Sequence, residues 1–386
     1  MILNANWLIH IKNYSTKFYK ADSRLRIFPP LDLANCIRDG KAKQQIRCVF
    51  GQLALAAQVY RRKDGSHFQR ALDPSVDASR WSVIALERMI DLGSRLPFEE
   101  AAIISQKWGL NVSKSELERL SGKISSCLQT QVESKLTQVA LKPLATGVGR
   151  IVTIAIDGVF TLGRANQGQC LGIEIKSIVI SPANSPSQRT MLAGVYQPSE
   201  LLPLVSGLLR VAGLRAEDTL IGLSDGAIWI EQLFASLGIR QVIDVYHTTL
   251  YLTILFEALG WSIAEQTIER RLWSKGMVNA KDWLAIYAVL IKQKEQSPKV
   301  MGALAYLESR VEKMNYAQLN AAGIPIGSGQ VEAMNKSVIG SRMKRSGMQW
   351  SRVGASRMAL LRSQVRSVRP VMTPMAVRYS AFPIPF

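Results

Sequence analysis

Ile151-Val152-Thr153-Ile154-Ala155-Ile156-Asp157-Gly158 and Thr219-Leu220-Ile221-Gly222-Leu223-Ser224-Asp225-Gly226 repeat one device, a mainly apolar run, largely β-branched in the first, that stops at an Asp-Gly pair. Short apolar runs bounded by such a turn signal read as buried strands. Leu171 to Ile180 reads as a second strand after the first, Thr190 to Tyr196 as a third, and Arg240 to Val245 as a fifth after the run at Thr219. Helical patterns at Pro198 to Ala212 and Ala227 to Leu237 separate the later strands. Three consecutive strands followed by alternating helix and strand predict an α/β fold, a mixed sheet with helices packed on it. A helical segment of 247–324 follows, with Trp261, Trp273 and Trp283 as the expected core anchors.

Upstream, Ile46 to Tyr60 with Gly51 at its centre reads as a small β-hairpin or ribbon, followed by the basic turn Arg61-Arg62-Lys63-Asp64-Gly65. Ser79 to Glu133 has helical periodicity. Leu96-Pro97-Phe98-Glu99-Glu100 opens one helix, with Pro early and acids in the first turn, and Gly109 ends it. Ser113 and Glu116 have the spacing of a capping box for the next helix. Helix, glycine turn and capped helix are shared by a helix-turn-helix and by an ordinary αα-hairpin. In the first case Lys114, Arg119 and Lys123 face DNA. The expected organisation is a basic region over 1–78, a helical region over 79–148, the strand-bearing region over 149–246, the helical segment after it, and a basic tail over 366–386.

The chain has 386 residues, 47% of them hydrophobic, which is enough to bury a core and excludes a disordered basic tail protein. Its most apolar stretch, Val242 to Trp261, is interrupted by Asp244, His247 and Glu257, so no membrane span is expected. With no secretory pattern at Met1-Ile2-Leu3-Asn4, a cytoplasmic, nucleoid-associated protein is expected. Cys36, Cys48, Cys127 and Cys170 form no CxxC pair, which argues against a disulfide framework and against bound zinc. The net charge of +19 is unevenly placed. Residues 1–73 hold 13 Lys and Arg against 5 Asp and Glu, and residues 333–386 hold 10 against none. Two cationic ends around a nearly neutral middle suit a protein that grips a polyanion, with double-stranded DNA as the expected partner.

Asp157 and Asp225 each follow a predicted strand, where open α/β sheets carry their functional crevice. Alone, an Asp-Gly pair is ordinarily a turn. Two carboxylates brought together repel unless a cation lies between them. A third acid, Glu332, follows the turn Gly327-Ser328-Gly329 on the first turn of a predicted helix, where the helix dipole alone would favour it. Asp157, Asp225 and Glu332 together suit two Mg²⁺ ions, with Lys336 four residues on as an ion-pair partner or phosphate contact. The chain has no P-loop pattern, which argues against an ATP-driven motor.

These segments, with Asp244-Val245-Tyr246-His247 and the block Arg342-Met343-Lys344-Arg345-Ser346-Gly347-Met348-Gln349-Trp350-Ser351, resemble prokaryotic insertion-sequence transposases of the ISKra type, similar to the Mutator-like group of DDE transposases. The resemblance spans roughly 45–370 and is most specific in the last block. It implies an RNase H-like catalytic core, here 149–246 with 325–365, and a helical insertion over 247–324 between the second Asp and the Glu, an interval of 107 residues. It also implies Asp157, Asp225 and Glu332 as first, second and third ligands of Mg²⁺, with Mn²⁺ as a substitute. Asp244 and His247 match a further motif, as groups that orient the site or touch the DNA strand, or His247 is simply a packed His after a strand. The implied activity is cleavage at terminal inverted repeats and joining of the 3′-hydroxyl ends to target DNA, by a homodimer or larger synaptic complex. Arg342, Lys344, Arg345 and Arg352 would then contact phosphates, and Trp350 would stack on a base or pack. The Cys-rich knuckle common near the start of such proteins is missing. In its place Arg61, Arg62 and Lys63 grip phosphates without a metal, or this end has lost its function. A structure-specific nuclease, or a DNA-binding protein that has lost catalysis, would share much of this pattern.

Overall fold

A computed structural model describes residues 36–49, 51–63, 67–69, 81–166, 169–294 and 296–374. Asp64 and Gly65 of the basic turn and the tail beyond 374 lie outside them. The described residues divide into two compact units, 36–127 with 374 and 128–373, so the division falls inside one long helix.

In the first unit β1 (Cys36–Cys48) and β2 (Gly51–Arg62) form an antiparallel hairpin closed at Cys48 and Gly51, and β3 (His67–Gln69) pairs with β2. Gly51 takes the left-handed conformation that the tight turn requires, φ 98°. The hairpin is longer than the expected Ile46 to Tyr60. Its extra residues, Cys36 to Gln45, are mostly polar and carry little strand signal. Three helices follow: α1 (Val83–Arg95), capped by Ser82; α2 (Phe98–Lys107), stopped by Gly109 at φ 79°; and α3 (Lys114–Ala140).

The cap of α3 corrects one expectation. Ser113 Oγ accepts from the Glu116 amide at 3.1 Å, but Glu116 does not return the bond. Its carboxylate accepts instead from Trp81 Nε1 and Arg47, each at 3.0 Å, which ties α3 to the buried Trp81 and to β1. On α3 the apolar residues Leu117, Leu120 and Ile124 are buried, while Lys114 and Arg119 are exposed and Lys123 is half-buried. Lys114 lies 3.7 Å from Glu99.

The second unit is built on a mixed five-stranded sheet, ordered β6-β5-β4-β7-β8. Its strands are β4 (Ile151–Asn166), β5 (Gln169–Pro182), β6 (Thr190–Gly194), β7 (Thr219–Ser224) and β8 (Arg240–Ile243). β5 runs antiparallel to both neighbours, while β7 and β8 run parallel to β4. Ile154, Ile178, Ile180, Leu192, Ile221 and Leu223 are fully buried in the core, covered by helices that include α4 (Pro198–Val211) and α5 (Ile228–Ser236).

Two strand ends differ from expectation. β4 does not stop at Asp157-Gly158. Its parallel pairing with β7 ends at Ala155 and Leu223, but its antiparallel pairing with β5 continues through Asp157 opposite Ser177 and Gly158 opposite Lys176. Gly158 is a strand residue rather than a turn residue, and a Cβ there would displace the Glu174 carboxylate, whose Oε1 it would meet at 2.3 Å. β8 ends early because Asp244 caps the next helix, accepting from the His247 amide at 2.9 Å.

That helix, α6 (Val245–Leu259), begins the helical segment that continues through α7 (Ile263–Ser274), α8 (Ala280–Lys294), α9 (Pro298–Glu308) and α10 (Tyr316–Ala321). Trp273 and Trp283 are buried in it, and Trp261 stacks on Phe256 at 4.7 Å. The chain then forms α11 (Gly329–Met334), which continues without a break into a π-helical stretch, Asn335–Gly340, and a last turn, Ser341–Met343. α12 (Arg352–Arg366) packs on β6 and β5. No described helix is long and apolar enough to cross a membrane.

Candidate acidic site where the parallel pairing of the central strands ends

Strand register brings the first two acids to one level. The offset of 68 residues that pairs Ile151 with Thr219 and Ala155 with Leu223 also separates Asp157 from Asp225. Asp157 is therefore level with Asp225, just beyond the last parallel pair. Asp225 sits in a true turn. Its Oδ1 accepts from the Ala227 amide at 2.9 Å, Ser224 Oγ accepts from the Gly226 amide at 3.2 Å, and Gly226 has φ 84°. A side chain at Gly226 would also meet Arg310 Nε at 2.7 Å and Tyr306 Oη at 3.0 Å.

Glu332 is carried over β4 by contacts at three heights. Thr153, Asp157 and Thr161 lie four residues apart and so share a face of the strand. Thr153 Oγ1 lies 3.3 Å from Ser181 Oγ, which donates to Gln330 Oε1 at 2.7 Å. Asp157 Oδ2 accepts from Asn335 Nδ2 at 2.7 Å, and Thr161 Oγ1 donates to the Met343 carbonyl at 3.1 Å. The turn before Glu332 is fixed by Asp244, which is buried and accepts from both the amide and the hydroxyl of Ser328. The Val245 amide donates to the Ile326 carbonyl at 3.0 Å beside it. Asp244 thus links the β8–α6 corner to the segment bearing Glu332, and Glu332 itself is exposed.

Electrostatics join the three acids. Burial raises the Asp157 carboxyl above its ordinary value, and the negative charges of Asp225 and Glu332 push it further up. The Gly158 amide and His247 pull the other way. His247 is half-buried, edge-on to Tyr251 at 5.6 Å and Tyr306 at 6.3 Å, and those two tyrosines stack at 3.8 Å. The Tyr306 hydroxyl donates to the Asp225 carbonyl, and Arg310 donates to the Gly226 carbonyl at 3.0 Å. Glu231 holds that guanidinium at 3.1 Å. Residues of the helical segment therefore buttress the Asp225 turn. Tyr306 and Arg310 carry no motif, and Arg310 lies in the turn just past α9, so no local pattern marks their shared task.

The basic block divides into surface and interior. Lys336, Lys344, Arg345 and Arg352 are exposed. Arg342 is not a surface phosphate contact: it is 1% exposed, stacks over Trp350 at 5.4 Å and donates to Met348 Sδ at 3.1 Å. Trp350 packs. Its indole donates to the Met343 carbonyl at 2.9 Å, and its backbone pairs with β4 at Gly163. Arg362, which the sequence did not single out, is 1% exposed and donates to the Ser337 and Val338 carbonyls and, at 2.8 Å, to Ser341 Oγ. A π turn releases carbonyls from the α ladder, and this guanidinium takes them up. In the first unit Arg61 and Lys63 are exposed, Arg61 lying 3.8 Å from Asp39, and Arg62 ends β2.

No group of three or more His, Cys, Asp or Glu side chains among the described residues stands ready to hold a metal ion. An open Mg²⁺ site needs no closed cage, because water and substrate phosphate complete the shell around one or two carboxylates. Two observations fit a cation here. The charges of Asp225 and Glu332 raise the carboxyl of the partly buried Asp157, and Asn335 Oδ1 is buried beside it with no hydrogen-bond donor. No protein-family model matches the chain, and a search of curated proteins finds no match.

Proposed function

We propose that the protein is a DDE transposase with an RNase H-like core, cutting at the terminal inverted repeats of an insertion sequence and joining the 3′-hydroxyl ends to target DNA. The observation that carries this reading is the level placement of Asp157 and Asp225 just past the end of the parallel pairing of β4 with β7, with the Glu332 helix hydrogen-bonded to Asp157 through Asn335. The mixed sheet is compatible with an RNase H-like core, and the helical segment lies between the second Asp and the Glu, as the resemblance implies.

Asp157, Asp225 and Glu332 would hold Mg²⁺, or Mn²⁺ in its place, which supplies an activated water or 3′-hydroxyl and stabilises the leaving oxygen of an in-line phosphoryl transfer. The protein's own residues do the rest. Asn335 fixes one oxygen of Asp157, Asp244 fixes the turn before Glu332, and Tyr306 with Arg310 fixes the turn of Asp225. Lys336, Lys344, Arg345 and Arg352 are exposed cations suited to phosphates, which set position rather than sequence. Binding to double-stranded DNA should then weaken steeply as salt rises. Synapsis of two ends calls for a homodimer or larger complex.

The test supplies a pre-cleaved inverted-repeat end bearing a 3′-hydroxyl, with Mg²⁺ and target DNA. Joined product is expected. Cleavage without joining under the same conditions would replace the transposase by a structure-specific nuclease.

A further inference from the structure

Asn335 stands three residues after Glu332, on the same side of the helix, and opens the π-helical stretch. Its amide is bound on one side only. Nδ2 donates to Asp157 Oδ2 at 2.7 Å, while Oδ1 is buried and accepts nothing. Turning the amide over would set its oxygen against the carboxylate, so Asp157 dictates the orientation. The outcome is a neutral oxygen donor, out of contact with water, beside carboxylates that repel one another. Buried acceptors of this kind call for an explanation, and a missing ion is one of them.

The helix around Asn335 is braced as a functional group would need. Arg362, buried under the π stretch, holds the carbonyls of Ser337 and Val338, two and three residues beyond Asn335. Thr161 anchors the far end at the Met343 carbonyl. These contacts fix where the wide turn falls, and with it the side of the helix that Asn335 presents to β4.

We propose that Asn335 belongs to the cation site: Nδ2 holds the Asp157 carboxylate in place, and Oδ1 is a further oxygen donor to the divalent ion that the acids bind. This rests on the reading of Asp157, Asp225 and Glu332 as a cation site, and its test separates the two. Mn²⁺ alone is titrated calorimetrically into the full chain, stripped of metal, in the wild type and in Asp157→Asn, Asn335→Ala, Asn335→Ser and Asn335→Asp. The metal-free melting temperature of each variant serves as the control for folding.

Asn335→Ala and Asn335→Ser should bind Mn²⁺ about 10- to 100-fold more weakly, the scale seen when a supporting group of a metal site is lost. Asn335→Asp keeps an oxygen but loses the Nδ2 bond to Asp157, and should bind more tightly than Asn335→Ala. Wild-type affinity in the Ala and Ser variants, with binding lost in Asp157→Asn, would overturn the role of Asn335 and leave the acidic site standing. Weak binding by Asn335→Asp, matching Asn335→Ala, would overturn the donor role of Oδ1. Equal binding by the wild type and Asp157→Asn, or none by the wild type, would remove the acidic cation site and this inference with it.

Discussion

The two ends of the β4–β7 strand pair treat their carboxylates in opposite ways. At the entry, Asp218 accepts from the amides of Arg150 and Arg215 at 2.9 and 3.0 Å and from the Arg150 guanidinium at 2.7 Å. Burial would raise its carboxyl, but these bonds outweigh burial and hold it below the ordinary value. At the exit, six residues of β4 further on, burial and the charges of Asp225 and Glu332 raise Asp157. One end is satisfied by the protein itself. The other leaves negative charge crowded and an amide oxygen unmet, the arrangement by which a ligand site differs from a structural ion pair.

Mutation at the two ends should therefore separate activity from stability. The largest effect belongs to the exit. Asp157→Asn, Asp225→Asn or Glu332→Gln should lower Mg²⁺-dependent strand transfer by about 10²–10³-fold or more, the scale of losing one preorganised contact to a reacting group. Gel assays of joined product would show it, and full joining by any one of them would remove that acid from the site.

Next in size is the entry. Asp218→Ala leaves two amides and the Arg150 guanidinium without their acceptor and should cost about 2–3 kcal/mol in urea unfolding. Smaller and opposite in sign, Asp157→Asn relieves repulsion in the metal-free protein and should leave stability unchanged or raise it by about 1 kcal/mol. A loss there as large as at Asp218 would erase the contrast between the ends.

The smallest effect is on pH dependence, and the two signs differ. Asp218, with a depressed folded pKa, contributes stability that is present above the ordinary carboxylate range and lost as pH falls through the folded value. Asp157, with a raised folded pKa, contributes stability that is complete below that range and lost as pH rises through its folded value. Urea midpoints of the wild type against Asp218→Asn and Asp157→Asn, followed across acid pH, should diverge in these opposite directions. Parallel curves would contradict the assignment.

Much of this was legible in the sequence, and the losses have physical causes. The strands of the larger sheet and the equal spacing of the two Asp-Gly pairs are written in apolar runs. Yet the pairs look alike, and only the partner strand decides that Asp225-Gly226 turns while β4 carries Asp157-Gly158 onward beside β5. The basic block read as surface because charge is ordinarily solvated. Arg342 and Arg362 escape that rule by finding an aromatic face and carbonyls freed by a π turn, partners that no local pattern announces. Asn335 was hidden for a similar reason, since its spacing from Glu332 acquires meaning only once the helix lies on β4. In the first unit, Glu116 sits at capping-box spacing, and its carboxylate is claimed by Trp81 and Arg47 from distant positions.

The central claim, that Asp157, Asp225 and Glu332 bind one kind of ligand, a divalent cation, is tested most directly by melting the metal-free chain with and without Mn²⁺. A ligand that binds the folded state raises the melting temperature by mass action. Mn²⁺ should raise it for the wild type and for Asp218→Asn and leave it unchanged for Asp157→Asn and Asp225→Asn. The same rise in all four proteins would contradict a cation site at these acids.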